Sequence, residues 1–357
     1  MAINLAAKYA SAIAQAFTKS SFVKPNTMGN IDFVGAKTVR VYKLSTVDEV
    51  EYTRGGTNRY GTVGDVQDEI MEYTMKKDVS FTRAVDKGDE SDQTISDKAG
   101  KFLAAQIKEK SVPNADKYAL TQFAKFGKVV GVSAPTKTTV VPLFADAMQA
   151  MDDALVPDDN RVAYVPGTVF KLIAQSDEFV KIETLGEKSI ARGEVGELFG
   201  FKIIKVPTSY LPDGCYFIAC HKNAVCMPYK ISETKIHKDP PGISGALVEG
   251  RYYYDAFVLG EKADAVYAAV DSTKVQATPT FGGTGVSVTI TSAAAAEIRY
   301  TVDGSDPRFA PQWDESKRTG YRVYGAQFDA KSGDTVRAVA FAPAGKFTSA
   351  IAEKKIS

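Results

Sequence analysis

The sequence predicts an α+β fold followed by a small all-β domain. Three observations carry this. Two runs, Thr38 to Leu44 and Lys77 to Val85, alternate apolar and polar residues at the two-residue period of a strand. One apolar stripe at three-to-four spacing runs from about residue 92 to 126, which predicts a single long helix. The composition then turns rich in Thr, Pro and Gly over 271–285 before short alternating strands resume, as at the boundary of an independent domain.

The elements follow in chain order. Leu5, Tyr9, Ile13 and Ala16/Phe17 give a short amphipathic helix whose stripe needs a partner surface, protein rather than membrane, since its polar face carries few cations. Val39 and Val41 share one face of the first strand, and Val79, Phe81 and Val85 share one face of the second. Between them Ser45 to Lys76 is polar, with little to bury, so it is expected to be disordered or an arm that finds its contacts on another chain. Asp89-Glu90-Ser91-Asp92 supplies N-cap candidates for the long helix of Ile95, Ala99, Phe102/Leu103 and Ile107. Pro113 is expected to break or kink it before Ala115, Tyr118/Ala119 and Phe123/Phe126. A third helix is expected to start with Pro142 at its first position and to carry Phe144, Ala147, Met151 and Leu155 on one stripe.

The middle of the chain reads as α/β. Arg161 to Val165 is a strand closed by Pro166-Gly167, Thr168 to Ala174 a short helix, and Phe201 to Val206 and Tyr216 to Ala219 buried strands. Lys235 to Gly245 reads as a turn-rich segment, followed by strands through Arg251 to Leu259 and Ala263 to Val270. Beyond the boundary, Val286/Val288/Ile290, Ile298/Tyr300/Val302 and Val336/Ala338/Ala340 alternate as in a small β-sandwich.

Composition excludes several classes. The 357 residues are 44% hydrophobic and 24% charged, enough apolar material for real cores. Lys and Arg number 44 against 43 Asp and Glu, a net charge of +1, and no block of like charges marks a nucleic-acid arm. Nonspecific DNA affinity is therefore expected to be weak. No stretch reaches the roughly 18 apolar residues of a membrane span. Lys8, Gln15 and Lys19 break up any signal-peptide pattern, so first use in the cytoplasm is expected.

Candidate chemistry is thin. Cys215, Cys220 and Cys226 leave an odd thiol however two of them pair, which excludes a disulfide framework. With His221 they are the one cluster of soft ligands, but the spacing does not suit a metal knuckle, and adjacent Cys220 and His221 would face opposite sides of a strand. Buried small side chains are the expected role, with no metal and no cofactor. His237 beside Lys238 and Asp239 reads as structural. Gly193-x-x-Gly196 and Gly282-Gly283-Thr284-Gly285 lack the Lys-Ser/Thr of a phosphate loop. Gly242-Ile243-Ser244-Gly245-Ala246 resembles a nucleophile elbow but ends in alanine where glycine is required. The acid pairs Asp152/Asp153 and Asp158/Asp159 read as solvated turns. No catalytic residue is nominated, and the chain is not expected to be an enzyme.

Six stretches resemble tailed-bacteriophage major capsid proteins of the Hong Kong 97-like fold over roughly residues 1 to 270. They are Ile31-Asp-Phe-Val-Gly-Ala-Lys-Thr-Val-Arg-Val-Tyr42, Asn58-Arg-Tyr-Gly61, Ser176-Asp-Glu-Phe-Val180, Lys205-Val-Pro-Thr-Ser-Tyr-Leu-Pro212, Lys235-Ile-His-Lys-Asp-Pro-Pro-Gly-Ile-Ser-Gly245 and Val248-Glu-Gly-Arg-Tyr-Tyr-Tyr-Asp-Ala-Phe-Val258. The remainder resembles the immunoglobulin-like module at the C-termini of chitobiases, through Ile298-Arg-Tyr-Thr-Val-Asp-Gly-Ser-Asp-Pro307, Thr335-Val-Arg-Ala-Val-Ala340, Gly345 and Ser349. Asp303, Gly304, Asp306 and Pro307 would make the structural turn of that module, and no sugar-binding residue carries over.

The first resemblance implies an N-terminal arm over 1–30 and a shell domain over 31–270. Within the latter it implies an extended loop at about 45–76, a spine helix at about 92–126 for the peripheral domain, and an axial domain at about 127–230. A linker at 271–285 and an immunoglobulin-like surface domain at 286–357 would follow. The implied function is assembly into the icosahedral shell enclosing a phage's double-stranded DNA, in the virion after assembly in the host cytoplasm. The implied partners are the chain itself as pentamers and hexamers, scaffolding and portal proteins, and DNA held nonspecifically. No membrane is involved, and the C-terminal domain is left a possible weak glycan contact. Arg54, Arg59 and Tyr60 are the expected inter-subunit contacts, since arginine and tyrosine favour interfaces and nothing nearby offers them a core. The alternatives are an encapsulin-like compartment shell, against which the long arm and added β-domain argue, and a secreted glycan-binding protein, against which the missing signal peptide argues.

Overall fold

The structure is a computed structural model and describes residues 21–29, 32–34, 38–44, 49–52, 54–55, 59–60, 68–87, 98–176 and 196–357. The N-terminal amphipathic stripe, the cap at Asp89 to Asp92 and the Gly193 turn lie outside the described residues, as do Asp177 to Val180.

Strands β1 (Asp32–Val34), β2 (Thr38–Leu44) and β3 (Asp68–Thr74) form an antiparallel ribbon. β2 and β3 pair from Thr38↔Thr74 to Leu44↔Asp68. Of the polar stretch over 45–76, expected to be disordered or an arm, the part at 68–74 is ordered. Residues 68–74 are a strand, because the exposed backbone of β2 requires a partner and β3 supplies it. At the root, Val39, Met75 and Tyr253 are buried together, and the Tyr253 hydroxyl donates to the Met75 carbonyl at 3.1 Å.

Strand β4 (Lys77–Asp86) continues from this hairpin into a second sheet. This sheet also holds two ten-residue strands, β11 (Tyr229–Lys238) and β12 (Gly245–Tyr254), in the order β11-β12-β4. The segment expected to be turn-rich from Lys235 therefore stays in the ladder to Lys238, opposite Ala246. Only 239–244 form the loop, turned by left-handed Asp239 and Gly242.

The long helix is present as α1 (Lys98–Gln106), a π-helical turn (Ile107–Ser111) and α2 (Val112–Phe126). Pro113 has no N–H and its ring would crowd the carbonyl four residues back. The preceding turn widens instead of breaking, with the Val112 N–H on the Ile107 carbonyl. The stripe of Leu103, Ile107, Ala115, Ala119 and Phe123 is buried against Val85, Val248, Tyr252 and Tyr254 of the second sheet.

A six-stranded sheet forms the centre. Its order is β5 (Lys128–Val132), β14 (Val266–Asp271), β9 (Cys215–His221), β6 (Arg161–Pro166), β8 (Phe201–Val206) and β7 (Glu197–Leu198). β14/β5 and β6/β8 are parallel, the rest antiparallel. One face, with Val162, Tyr164, Ile218, Cys220 and Ala268, joins the core under the long helix. The other, with Ala163, Val165, Phe217, Ala219 and Tyr267, packs on α3 (Val140–Asp152) and α4 (Gly167–Ala174). Both faces are covered, which explains why β6, β9 and β14 read as continuous apolar runs.

Three boundaries move. α3 begins two residues before Pro142, since Val140 and Leu143 donate to the carbonyls of Thr136 and Thr139, and a first-turn proline forfeits no helical bond. α3 also ends before Leu155, which leaves the stripe altogether: its φ is 55° and it is 91% exposed. Residues 260–265 are a 3₁₀ segment, so the strand expected from Ala263 starts at Val266.

The C-terminal part is a β-sandwich. One sheet holds β15 (Thr280–Gly282), β16 (Ser287–Thr291) and β19 (Phe328–Asp329), and the other β18 (Arg322–Val323), β17 (Glu297–Thr301), β20 (Thr335–Phe341) and β21 (Ala352–Lys355). Val288, Ile290, Tyr300, Val302 and Val336 fill it, with Tyr300 stacked on Phe328 at 4.2 Å. Val286, placed on the core side by its alternation, is 43% exposed instead, because it precedes the paired residues of β16. The two short strands β10 (Val225–Cys226) and β13 (Phe257–Val258) pair beneath the long helix.

The stretch read as a linker, 271–285, is structured. Asp271 accepts from the N–H and hydroxyl of Thr273, opening a 3₁₀ turn over Ser272–Lys274. Phe347 donates to the Lys274 carbonyl at 2.8 Å and accepts from the Gln276 N–H at 3.0 Å, and buried Gln276 donates its side-chain amide to the Ala293 carbonyl. β15 then pairs with β16 inside the same stretch. Thr, Pro and Gly here make tight turns rather than slack.

Candidate assembly surfaces

The arm presents the nominated residues to solvent. Arg54 and Arg59 are exposed and Tyr60 is 86% exposed. Tyr60 meets Tyr52 edge-on with ring centroids 5.0 Å apart, and Val50 beside them is also exposed. Tyrosine and arginine are residue types enriched at protein interfaces. Tyr52 and Val50 went unnoticed in sequence, because a lone apolar residue in a polar stretch gives no period to read.

The arm's root is fixed. Asp255, buried at the end of β12, accepts from the Lys76 N–H at 2.7 Å, the Ala256 N–H at 2.8 Å and the Tyr118 hydroxyl at 2.8 Å. Tyr73 adds its hydroxyl as acceptor for the Gly260 N–H at 2.9 Å. One carboxylate thus joins the hairpin, the long helix and the second sheet.

A second surface is the loop after α3. Buried Arg161 holds it: its guanidinium reaches Asp152 at 2.7 Å and Asp158 at 3.0 Å, and donates to the Val156 and Pro157 carbonyls. The acid pairs read as solvated turns are in part the counter-charges of this buried cation. The clamp presents Leu155, apolar, left-handed and exposed, three local costs at one residue.

The cysteines sit inside. Cys215, Cys220 and Cys226 are free and buried, and burial pushes the Cys220 and Cys226 thiols up to about 12. Cys220 belongs to the core under the helix, while His221 Nδ1 accepts from the Asn223 N–H at 3.2 Å. Among the described residues no three His, Cys, Asp or Glu side chains converge as metal ligands. His237 lies 3.2 Å from Glu249 across the β11–β12 ladder. The Gly242–Ala246 elbow is the hairpin loop itself: Asp239 accepts the Gly245 N–H, and the Ser244 carbonyl takes Lys87.

In the sandwich, Asp303 accepts from the N–H and hydroxyl of Ser305, Gly304 has φ 77°, and Asp306 opens the turn through Pro307 by accepting from Arg308. Trp313 and Tyr324 pack on the sandwich core, and the Arg322 guanidinium covers Trp313 at 3.9 Å. No open aromatic platform is formed by these two residues.

Residues 277–353 match the chitobiase/β-hexosaminidase C-terminal domain family. No curated protein matches the chain in sequence. Among solved structures it is similar to one from Mycobacterium phage Che8, at 17% identity and a TM-score of 0.53, covering 68% of this chain and 92% of that one. The capsid structure of the cyanophage P-SCSP1u gives 12% and 0.54, covering 69% and 85%. The mature capsid of bacteriophage PhiM1 gives 15% and 0.52, covering 66% and 82%. The chain has the phage-capsid fold. Within that fold the described part of the long helix runs from Lys98 to Phe126 with its π turn at mid-length. To the capsid fold this chain adds an immunoglobulin-like sandwich.

Proposed function

We propose that the chain is the major capsid protein of a tailed phage, assembling with copies of itself as pentamers and hexamers into the closed icosahedral shell around the packaged DNA. The observation that carries this reading is the likeness to capsid structures over most of their own length. The exposed arm supports it independently, since Tyr52, Tyr60, Arg54 and Arg59 are held out from the body with no core of their own. A net charge of +1 suits a shell that encloses DNA without gripping it. The sandwich is read as an outer-surface domain: an inner position would occupy genome space. Scaffolding and portal proteins are the further partners of this reading.

Expression with the neighbouring phage genes, followed by gradient sedimentation and electron microscopy, tests it. Closed particles are expected. Arg54→Ala with Arg59→Ala is expected to lower particle yield several-fold while the free subunit unfolds at the same denaturant concentration. A persistently monomeric chain with a protease-resistant 45–76 segment would overturn the reading.

A further inference from the structure

The last turn of a helix leaves carbonyls with no intrahelical donor. At the end of α2, the Gly127 N–H returns to the Phe123 carbonyl at 2.9 Å, and the carbonyls of Lys125, Phe126 and Gly127 find their donors in the sandwich. Thr348 Oγ1 donates to the Lys125 carbonyl at 3.0 Å, and Arg308 Nη1 donates to those of Phe126 at 3.1 Å and Gly127 at 2.7 Å. The Arg308 side chain is 6% exposed and is held by Asp306, which takes its Nε and Nη2. A buried guanidinium is thereby aimed along the negative end of the helix dipole.

The rest of the contact is apolar and close. Phe126 and Phe309 meet with centroids 6.0 Å apart, and Phe347 is buried in the main core under the long helix. Gly260 lies under Phe309 so tightly that a Cβ there would come within 2.8 Å of it. The connection from β14 is itself hydrogen-bonded, as described, so the sandwich is held at several points.

These contacts converge on one joint. Gly127 is the single residue between α2 and β5, and a Cβ on it would fall 2.6 Å from Val266 Cγ1 of β14. We infer that the C-terminal domain is a brace for its own chain: Arg308 and Thr348 cap the long helix and fix the joint between helix and six-stranded sheet. Its partner is the helix end at 125–127 rather than an outside ligand. The inference concerns the chain alone and stands whether or not it forms a shell.

Amide hydrogen exchange on the full-length chain tests it. Arg308→Ala is expected to speed exchange at residues 124–132 about tenfold, the effect of losing a charge-assisted pair of bonds. Thr348→Val, which keeps the side chain's shape, is expected to speed it about threefold to fivefold. Arg337→Ala, which removes the pair with Glu353 elsewhere on the sandwich, is expected to leave those amides unchanged. Where Arg308→Ala also loosens amides within 286–341, Thr348→Val decides alone. Unchanged exchange at 124–132 in the deciding variant, or equal acceleration by Arg337→Ala, would overturn the brace.

Discussion

Ser21 Oγ donates to Asp116 Oδ1 at 2.5 Å, across 95 positions of sequence, and the Phe22 N–H donates to the other oxygen at 2.8 Å. The start of the described chain is thus tied to the middle of the long helix by one carboxylate. Asp116 is fully buried, and burial raises its pKa from 3.8 to about 6 against the opposing pull of the Ser21, Phe22 and Val23 hydrogen bonds.

A raised carboxyl in the folded state adds stability that is fully present below its unfolded pKa and is lost as pH rises through about 6. The gap from 3.8 to about 6 corresponds to roughly 3 kcal/mol. The unfolding free energy of the native chain, minus that of Asp116→Asn, is therefore expected to fall by up to roughly 3 kcal/mol between pH 4 and pH 7. Urea titrations at unit pH steps check this; a difference that stays flat, or rises, contradicts the clasp.

Asp255 is the sole acceptor described for two backbone N–H groups and a tyrosine at the arm's root. Asp255→Ala strands all three and is expected to cost about 3 kcal/mol or more, whereas Tyr118→Phe removes one bond and should cost about 1–2 kcal/mol. Equal losses in denaturant unfolding would mean that the carboxylate does not organise the root.

The Leu155 side chain lies open to solvent on the subunit. Leu155→Gly relieves a positive φ and is expected to leave the subunit as stable as before or slightly more so, by up to about 1 kcal/mol. In assembly, under the capsid reading, Leu155→Asp should lower particle yield several-fold. Full yield from the aspartate variant would show that the loop makes no contact between subunits.

The thiols offer a simple check of the interior. With Cys220 and Cys226 pushed up to about 12 and Cys215 higher still, almost no thiolate exists at neutral pH, and none of the three is accessible. An aromatic disulfide reagent should leave the folded chain unlabelled and titrate 3 thiols in urea. Elemental analysis should find no stoichiometric zinc; a metal ion per subunit would refute the buried role.

Much of the fold was legible where pattern and packing coincide. β4 alternates because one face lies on the helix, and β6, β9 and β14 are continuously apolar because both faces are covered. The Asp303-Gly304 turn was legible because its chemistry is local. What stayed hidden depends on distant partners. β3 reads Asp-Glu-Ile-Met-Glu-Tyr-Thr, too charged to look like a strand until β2 pairs with it. Leu155 fits the helical stripe of α3 by spacing, and only the Arg161 clamp takes it off that face. Arg54, Arg59 and Tyr60 of the arm could be nominated from residue type alone, while docking through Arg308 left no local signal: an arginine after Asp-Pro looks like any surface turn.

The cap on the long helix is delivered 181 and 182 residues after the carbonyls it serves. During synthesis the helix therefore leaves the ribosome with a bare end. β5 likewise waits for β14, which arrives more than 130 positions later and completes the central sheet. A chain interrupted before residue 308 holds the whole helix and central sheet but lacks the side chains that cap the joint between them. Order of translation thus leaves the contacts that fix the joint between helix and sheet until after every strand of the central sheet has been made.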